Sequence, residues 1–102
     1  MKKLLMAAMA SALVATPALA ADVKIGVLLG FTGPIESLTP DMASGAELAM
    51  KEATDSGAFM SGSSVTSVRG DSTGVDAAAA TAAAERLFTA DGVSGMMGAD
   101  CS

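Results

Sequence analysis

Histidine, tryptophan and tyrosine are absent from the 102-residue chain, and cysteine occurs once. Without histidine, Ser-His-Asp triads, histidine proton shuttles and histidine-containing zinc sites are excluded within these residues. The single cysteine, Cys101, has no partner in the chain for a disulfide. The lack of Trp and Tyr argues against stacking platforms for bases or sugars. We therefore expect no catalytic residue, no cofactor and no metal site.

Basic residues are also few. Six Lys and Arg stand against eleven Asp and Glu, which gives a net charge of −5. Two of the six are Lys2 and Lys3, and their removal would take the net charge from −5 to −7. An acidic surface repels phosphate backbones and anionic lipid, so neither nucleic acid nor a membrane surface is expected as a partner.

The N-terminus has the three parts of a secretory signal peptide: the cationic start MKK, an apolar stretch over residues 4–15, and the small residues of Ala18-Leu19-Ala20. The apolar stretch is too short to span a bilayer, which needs about 20 residues. No cysteine follows it directly, at the expected start of the mature chain, for lipid attachment. We predict a signal peptide over residues 1–20, cleavage after Ala20 and export as a soluble protein; an N-terminal membrane anchor is the alternative.

Three later segments have the composition of strands. Residues 23–29 (VKIGVLL) are rich in β-branched residues and lack a polar break at their end, as in a strand covered on both faces. Residues 65–68 and 93–97 predict two shorter strands, and residues 70–74 the turn after the second.

Two helices are predicted between these strands. For the first, Thr39 is the expected N-cap and Pro40 the first helical residue, with a stop at residues 55–57. Its expected packing face is formed by residues that recur at helical spacing: Met42, Ala46, Ala49 and Ala53.

The second helix is predicted over the alanine-rich segment DAAAATAAAERLF and ends at residues 90–92. Thr73-x-x-Asp76 has the form of a capping box in front of it. Leu87 and Phe88 are its expected packing residues.

The order strand, helix, strand, helix, strand predicts an α/β fold with a parallel sheet. If the third strand pairs on the far side of the first, the sheet order is 2-1-3 and the helices cover opposite faces. Ligands of such sheets bind outside the carboxyl ends of the strands, where the winding reverses. Two loops would flank that crevice: GFTGP (residues 30–34) and ADCS (residues 99–102).

These two loops predict a binding lip. Gly30 and Gly33 would let a ligand approach the backbone, and Thr32 and Ser102 offer hydroxyl groups. The alternative is that the glycines serve only a tight turn and that Ser102 is a solvated turn residue or helix cap. Three carboxylates, Glu36, Asp71 and Asp100, have no spacing that implies a shared site, and we expect them to be solvated.

Several segments together resemble one family. VKIGVLLGFTGP, SGAELAMKEA, VRGDSTG, AAAERL and DGVSGMMGADCS follow a signal peptide in the order found in branched-chain amino-acid (leucine/isoleucine/valine-type) substrate-binding proteins of ABC transporters. The resemblance covers residues 22–102. It implies a type I periplasmic-binding-protein fold, in which two α/β lobes close on an amino acid or amide. It also implies a periplasmic location, no catalytic activity and delivery of the ligand to a membrane permease.

The resemblance assigns roles to a few residues. Ser102 matches the serine that hydrogen-bonds the carboxylate of the bound amino acid. Leu38 falls where the loop after the first strand places a side chain, often aromatic, against the ligand. Cys101 matches one half of a family disulfide, but the other position is Gly74 here, so Cys101 is expected to be a free thiol.

We accordingly expect residues 21–102 to be a truncated N-terminal lobe that comprises its first three strands and folds marginally by itself. Three alternatives stay open. The same fold serves ligand-sensing receptors, and a truncated fragment could have no function. An enzyme with a nucleotide-binding domain is the third, although Gly30-x-x-Gly33 is not the GxGxxG fingerprint and nucleotide cofactors are scarce outside the cytoplasm.

Overall fold

The computed structural model describes residues 19–101, which form a three-stranded sheet and two α-helices. The elements in chain order are β1 (Asp22–Leu29), α1 (Thr39–Asp55), a 3₁₀ turn (Phe59–Ser61), β2 (Ser64–Asp71), α2 (Ala77–Thr89) and β3 (Gly95–Met97). Ser102 and the first 18 residues of the expected signal peptide lie outside the described residues. Among residues 19–101, no helix combines the length and the apolar character needed to cross a membrane.

The sheet is parallel, with the order β2-β1-β3 that the sequence predicts. β1 pairs with β2 from Asp22 opposite Ser64 to Leu29 opposite Asp71. Its pairing with β3 is shorter and ends at Val27 opposite Met97. β2 is longer than the predicted residues 65–68, because Gly70 and Asp71 continue the ladder instead of turning.

The second half of β1 is buried because a helix covers each face of the sheet. Val27 and Leu29 point to one face, where they pack with Ala43 of α1. Leu28 points to the other face, where it packs with Leu87 of α2. Successive side chains of a strand alternate between faces, so a continuous apolar run serves two separate cores.

Leu87 lies directly on the backbone of the sheet. A Cβ atom at Gly26 would lie 3.1 Å from Leu87 Cδ1, and one at Gly70 would lie 2.9 Å from the same atom. The two glycines therefore make the space that the fully buried Leu87 fills. The prediction that Phe88 packs beside it is wrong, since Phe88 is 47% exposed. One residue turns a helix by about 100°, so both side chains cannot face the sheet.

The start of α1 corrects two predictions. Leu38 occupies the N-cap position without a side-chain cap, and Thr39 is the first helical residue. The Thr39 hydroxyl instead donates a buried 2.9 Å hydrogen bond to the carbonyl of Gly30. The packing face is also rotated by one residue, because Ala43 is fully buried and Met42 is 48% exposed. Pro40 lies in the first turn, as expected.

The cap of α2 lies three residues later than predicted. Asp76 is the N-cap residue, and its carboxylate accepts hydrogen bonds from the backbone N–H groups of Ala78 (2.8 Å) and Ala79 (3.2 Å). Thr73 accepts from the N–H of Asp76 at 3.2 Å. Thr73 therefore supports the residue that caps the helix and does not cap it.

Candidate functional site

The carboxyl ends of β1, β2 and β3 lie at one edge of the sheet because the three strands are parallel. The segments that leave this edge are residues 30–38, 72–76 and 98–101. Two carboxylates connect them, and each carboxylate comes from a different strand end.

Asp100 connects the segment after β3 to the loop after β1. The backbone N–H of Gly30 lies 3.2 Å from Asp100 Oδ1 and 3.0 Å from Oδ2. The hydroxyl of Ser72, which is 2% exposed, approaches Asp100 Oδ1 at 3.4 Å. We call this set of contacts the Asp100 junction. It brings together residues that follow all three strands.

Asp71, the last residue of β2, holds the other side of the loop after β1. Its carboxylate accepts the hydroxyl of Thr32 at 2.6 Å and the N–H of Thr32 at 3.2 Å. It also accepts the N–H of Thr73 at 2.8 Å. The Thr32 hydroxyl, followed by these backbone donors, holds the pKa of Asp71 below its ordinary value, and partial burial opposes the shift. Asp71 is therefore held in its charged form.

Gly33 lies where this loop meets the loop after β2. Its φ angle is +96°, and a Cβ atom there would lie 2.5 Å from the carbonyl oxygen of Thr73. A side chain is excluded by both the backbone conformation and the contact. The contact between the two loops thus explains why residue 33 is a glycine without reference to a ligand.

A cleft of about 320 Å³ opens beside the start of α2. Cys101 lies on one side of it, and Ser72, Gly74, Val75 and the first turns of α2 complete the lining. Cys101 is exposed. Gly74, the position opposite Cys101 in the disulfide that the family resemblance implies, lines the same cleft.

The predicted site residues are distributed unevenly over this edge. Thr32 and Gly33 both contact the end of β2 and the loop that follows it. Leu38 is 61% exposed at the N-cap of α1. Ser102 lies outside the described residues, directly after Cys101.

Two carboxylates that were not predicted as site residues, Asp71 and Asp100, organise the edge. The expectation that Asp71 and Asp100 are solvated is wrong, because both are partly buried and bonded to loops of other strands. The available signal was position: each acid stands at or just after the end of a parallel strand, next to the glycine-rich loop. Glu36 is exposed, as expected.

A larger hollow of about 540 Å³ lies away from this edge. It runs between α1 and the first half of β2, and an exposed Lys51–Asp55 ion pair forms part of its wall. Because ligands of parallel sheets bind at the carboxyl edge, we assign the site to the smaller cleft and its neighbouring loops. Among residues 19–101, no cluster of three or more His, Cys, Asp or Glu side chains is arranged to hold a metal ion.

Comparison with known proteins identifies the class to which this fold and edge belong. The sequence profile of the periplasmic binding protein family matches residues 22–102. The chain belongs to this family.

Three similar relatives bear the name Leu/Ile/Val-binding protein homolog 7 and come from Brucella suis, Brucella melitensis and Brucella abortus. Each is 38% identical over 99 residues, which cover 96% of this chain and 24% of the relative. The chain thus spans about a quarter of the length of the curated relatives it matches. No solved structure matches it at a significant level.

Proposed function

We propose that the chain supplies the N-terminal lobe of a periplasmic solute-binding protein that holds a branched-chain or other small amino acid, or an amide. The family match and the name of the relatives support a binding role. In this proposal the lobe binds without catalysis, and the ligand is passed to the membrane permease of an ABC transporter.

The observation that carries the proposal is the hydrogen bond between Gly30 and the Asp100 carboxylate. It joins the loop after β1 to the segment that leads into Ser102. These are the two loops expected to flank a ligand at the switch point of the sheet. Ser102 would donate its hydroxyl to the ligand carboxylate.

The other predicted residues would complete the lip. The Thr32 hydroxyl already donates its hydrogen bond to Asp71. Toward a ligand it could therefore only accept a hydrogen bond, for example from an ammonium or amide group. Gly33 is exposed beside it, and its backbone would form part of the lip. Leu38, 61% exposed, would present an apolar surface to the alkyl side chain of the ligand.

A second lobe would close on the other side of the ligand and exclude water. The length of the relatives supports this part of the proposal, because the 99 aligned residues cover only 24% of each of them. Reading the coding DNA beyond codon 102 tests it. An open frame that encodes further α/β repeats supports a two-lobed protein, and a stop codon contradicts it.

The ligand is tested by isothermal titration calorimetry, which detects the heat of binding and needs no fluorescent residue. Leucine, isoleucine, valine and a small amide are titrated into the protein with every residue its gene encodes. We expect saturable binding that Ser102→Ala weakens. Ser44→Ala, which removes an exposed hydroxyl on α1, is the control and should leave the affinity unchanged. Absence of heat with all four ligands would contradict the proposed ligand class.

Export is tested separately. We propose that a signal peptide over residues 1–20 directs the chain to the periplasm. N-terminal sequencing of the protein from a periplasmic fraction should begin at Ala21. A chain that retains residues 1–20 and stays with the membranes would support the alternative of an N-terminal anchor.

A further inference from the structure

Gly30, the residue that follows β1, is held by side chains at both its N–H and its carbonyl. The N–H of Gly30 meets both oxygens of Asp100, and the carbonyl of Gly30 accepts the Thr39 hydroxyl at 2.9 Å. Gly30 is buried, and Thr39 is fully buried. A Cβ atom at Gly30 would lie 3.0 Å from the backbone nitrogen of Gly74, so the loop after β2 closes over this position.

The Asp100 contact joins the two chain segments at a point beyond the end of the β1–β3 ladder. Ladder pairing of the two strands ends at Val27 and Met97. Three residues further along each chain, Gly30 and Asp100 meet through the carboxylate. Hydrogen bonds to a carboxylate are stronger than those between neutral groups. The carboxylate therefore fixes the separation of the two loops at the mouth of the crevice.

We propose that Asp100 is a positioning residue for ligand binding: it holds the segment after β3 against Gly30 and so sets the separation of the two loops between which the ligand is proposed to bind. The inference rests on the proposed function. In this scheme Asp100 acts by holding the two loops and does not itself contact the ligand; its oxygens accept hydrogen bonds from Gly30 and Ser72. The same bond withdraws the Gly30 N–H from ligand recognition.

The test compares three substitutions in the full-length protein. Asp100→Ala removes both acceptors, Asp100→Asn keeps one oxygen for the Gly30 N–H, and Asp55→Ala removes an exposed carboxylate at the far end of α1 as a charge control. Leucine affinity is measured by calorimetry. Hydrogen exchange of the Gly30 amide is measured by NMR, with thermal melting to follow overall stability.

We expect Asp100→Ala to weaken leucine binding about tenfold or more, which is the size of one lost hydrogen bond to a charged group. Asp100→Asn should recover most of that affinity, and Asp55→Ala should leave it unchanged. The Gly30 amide should be protected from exchange in the wild type and in Asp100→Asn, and exposed in Asp100→Ala. If Asp100 acted only through its charge, Asp100→Asn would lose affinity as Asp100→Ala does, because neither variant carries that charge.

Failure of the positioning role can be told apart from failure of the proposed function. Suppose that the wild type binds no leucine, and that the Gly30 amide is protected in the wild type and in Asp100→Asn but not in Asp100→Ala. This result contradicts the proposed function and retains the Asp100 junction. An Asp100→Ala protein that binds leucine as tightly as the wild type overturns the positioning role. If Asp100→Ala does not fold, rapid exchange of the Gly30 amide in the folded wild type or in Asp100→Asn overturns it as well.

Discussion

The hydroxyl of Thr32 lies 2.6 Å from Asp71 Oδ2, and the N–H of the same threonine lies 3.2 Å from Asp71 Oδ1. One residue of the loop after β1 thus makes two hydrogen bonds to the last residue of β2. The sequence offered Thr32 as a hydroxyl for the ligand. In the folded chain this hydroxyl donates its hydrogen bond to the charged Asp71 carboxylate, so contacts within the chain hold the loop without a ligand.

This pair predicts a pH dependence of stability. The pKa of Asp71 is lowered in the folded state, mainly by the Thr32 hydroxyl, so its charged form is favoured by folding. Its contribution is complete above the ordinary pKa of an aspartate, about 3.9, and is lost as the pH falls through the lower folded value. Asp71→Asn should therefore reduce the free energy of unfolding at pH 7 and lose this effect in strong acid.

Urea denaturation at pH 7 and in acid below about pH 3, where the wild type is still folded, measures this difference. Thr32→Val serves as the partner variant, because it keeps the shape of the side chain and removes the largest cause of the shift. It should reproduce part of the effect of Asp71→Asn at pH 7. An equal loss of stability at both pH values would show that the carboxylate charge is not responsible.

Leu87 and Phe88 are adjacent on α2 but differ in burial, which predicts opposite outcomes. Leu87 is fully buried against Gly26 and Gly70, so Leu87→Ala should cost about 2–5 kcal/mol of unfolding free energy. Phe88 is 47% exposed, and Phe88→Ala should cost well under half as much. Chemical denaturation of both variants measures the two losses. Equal losses would mean that α2 is rotated from the orientation described here.

The parts of the fold that could be predicted from sequence depend on local pattern. The run VKIGVLL gave a buried central strand because both of its faces are apolar, and the alternation of elements gave the order 2-1-3. The helix face was less predictable. Alanine dominates α2 and small residues dominate α1, so hydrophobic spacing could not distinguish Ala43 from Met42.

The contacts that shape the site were not predictable, because they join residues distant in sequence. Gly30 and Asp100 are 70 residues apart, and Thr32 and Asp71 are 39 apart. The pairing of Arg69 with Glu47, in which the guanidinium also lies 5.3 Å from the ring centre of Phe31, is of the same kind. Each needs the register of the strands before the partners can be identified.

Gly33 and Gly45 offer a matched pair for testing why the loop after β1 is glycine-rich. Gly33→Ala should destabilise the fold by about 1–3 kcal/mol, because φ is +96° and the new Cβ would lie 2.5 Å from the carbonyl of Thr73. Gly45 lies inside α1, and a Cβ there meets nothing within 4 Å. Gly45→Ala should therefore stabilise the fold by about 0.5–1 kcal/mol.

Thermal melting of both alanine variants under identical conditions shows whether each substitution lowers or raises the stability of the fold. If Gly33→Ala were as stable as the wild type, the loop would have moved away from Thr73. The strain argument for that glycine would then fail, and a role in ligand approach would be its remaining explanation.

Leu38 and Leu48 separate a ligand contact from a surface leucine. Their exposed fractions are close, 61% and 57%, but Leu38 stands at the N-cap of α1 by the binding lip and Leu48 lies within the helix. If Leu38 covers the alkyl chain of the ligand, Leu38→Ala should weaken leucine binding about tenfold, since burying a leucine side chain is worth about 1.5–3 kcal/mol. Leu48→Ala should change the affinity little.

The loss of affinity in Leu38→Ala should also shrink when the ligand is alanine, whose side chain offers less surface to cover. Calorimetric affinities for both ligands in both variants decide the point: an equal loss for leucine and alanine would assign Leu38 to the shape of the loop, and no loss would remove it from the site.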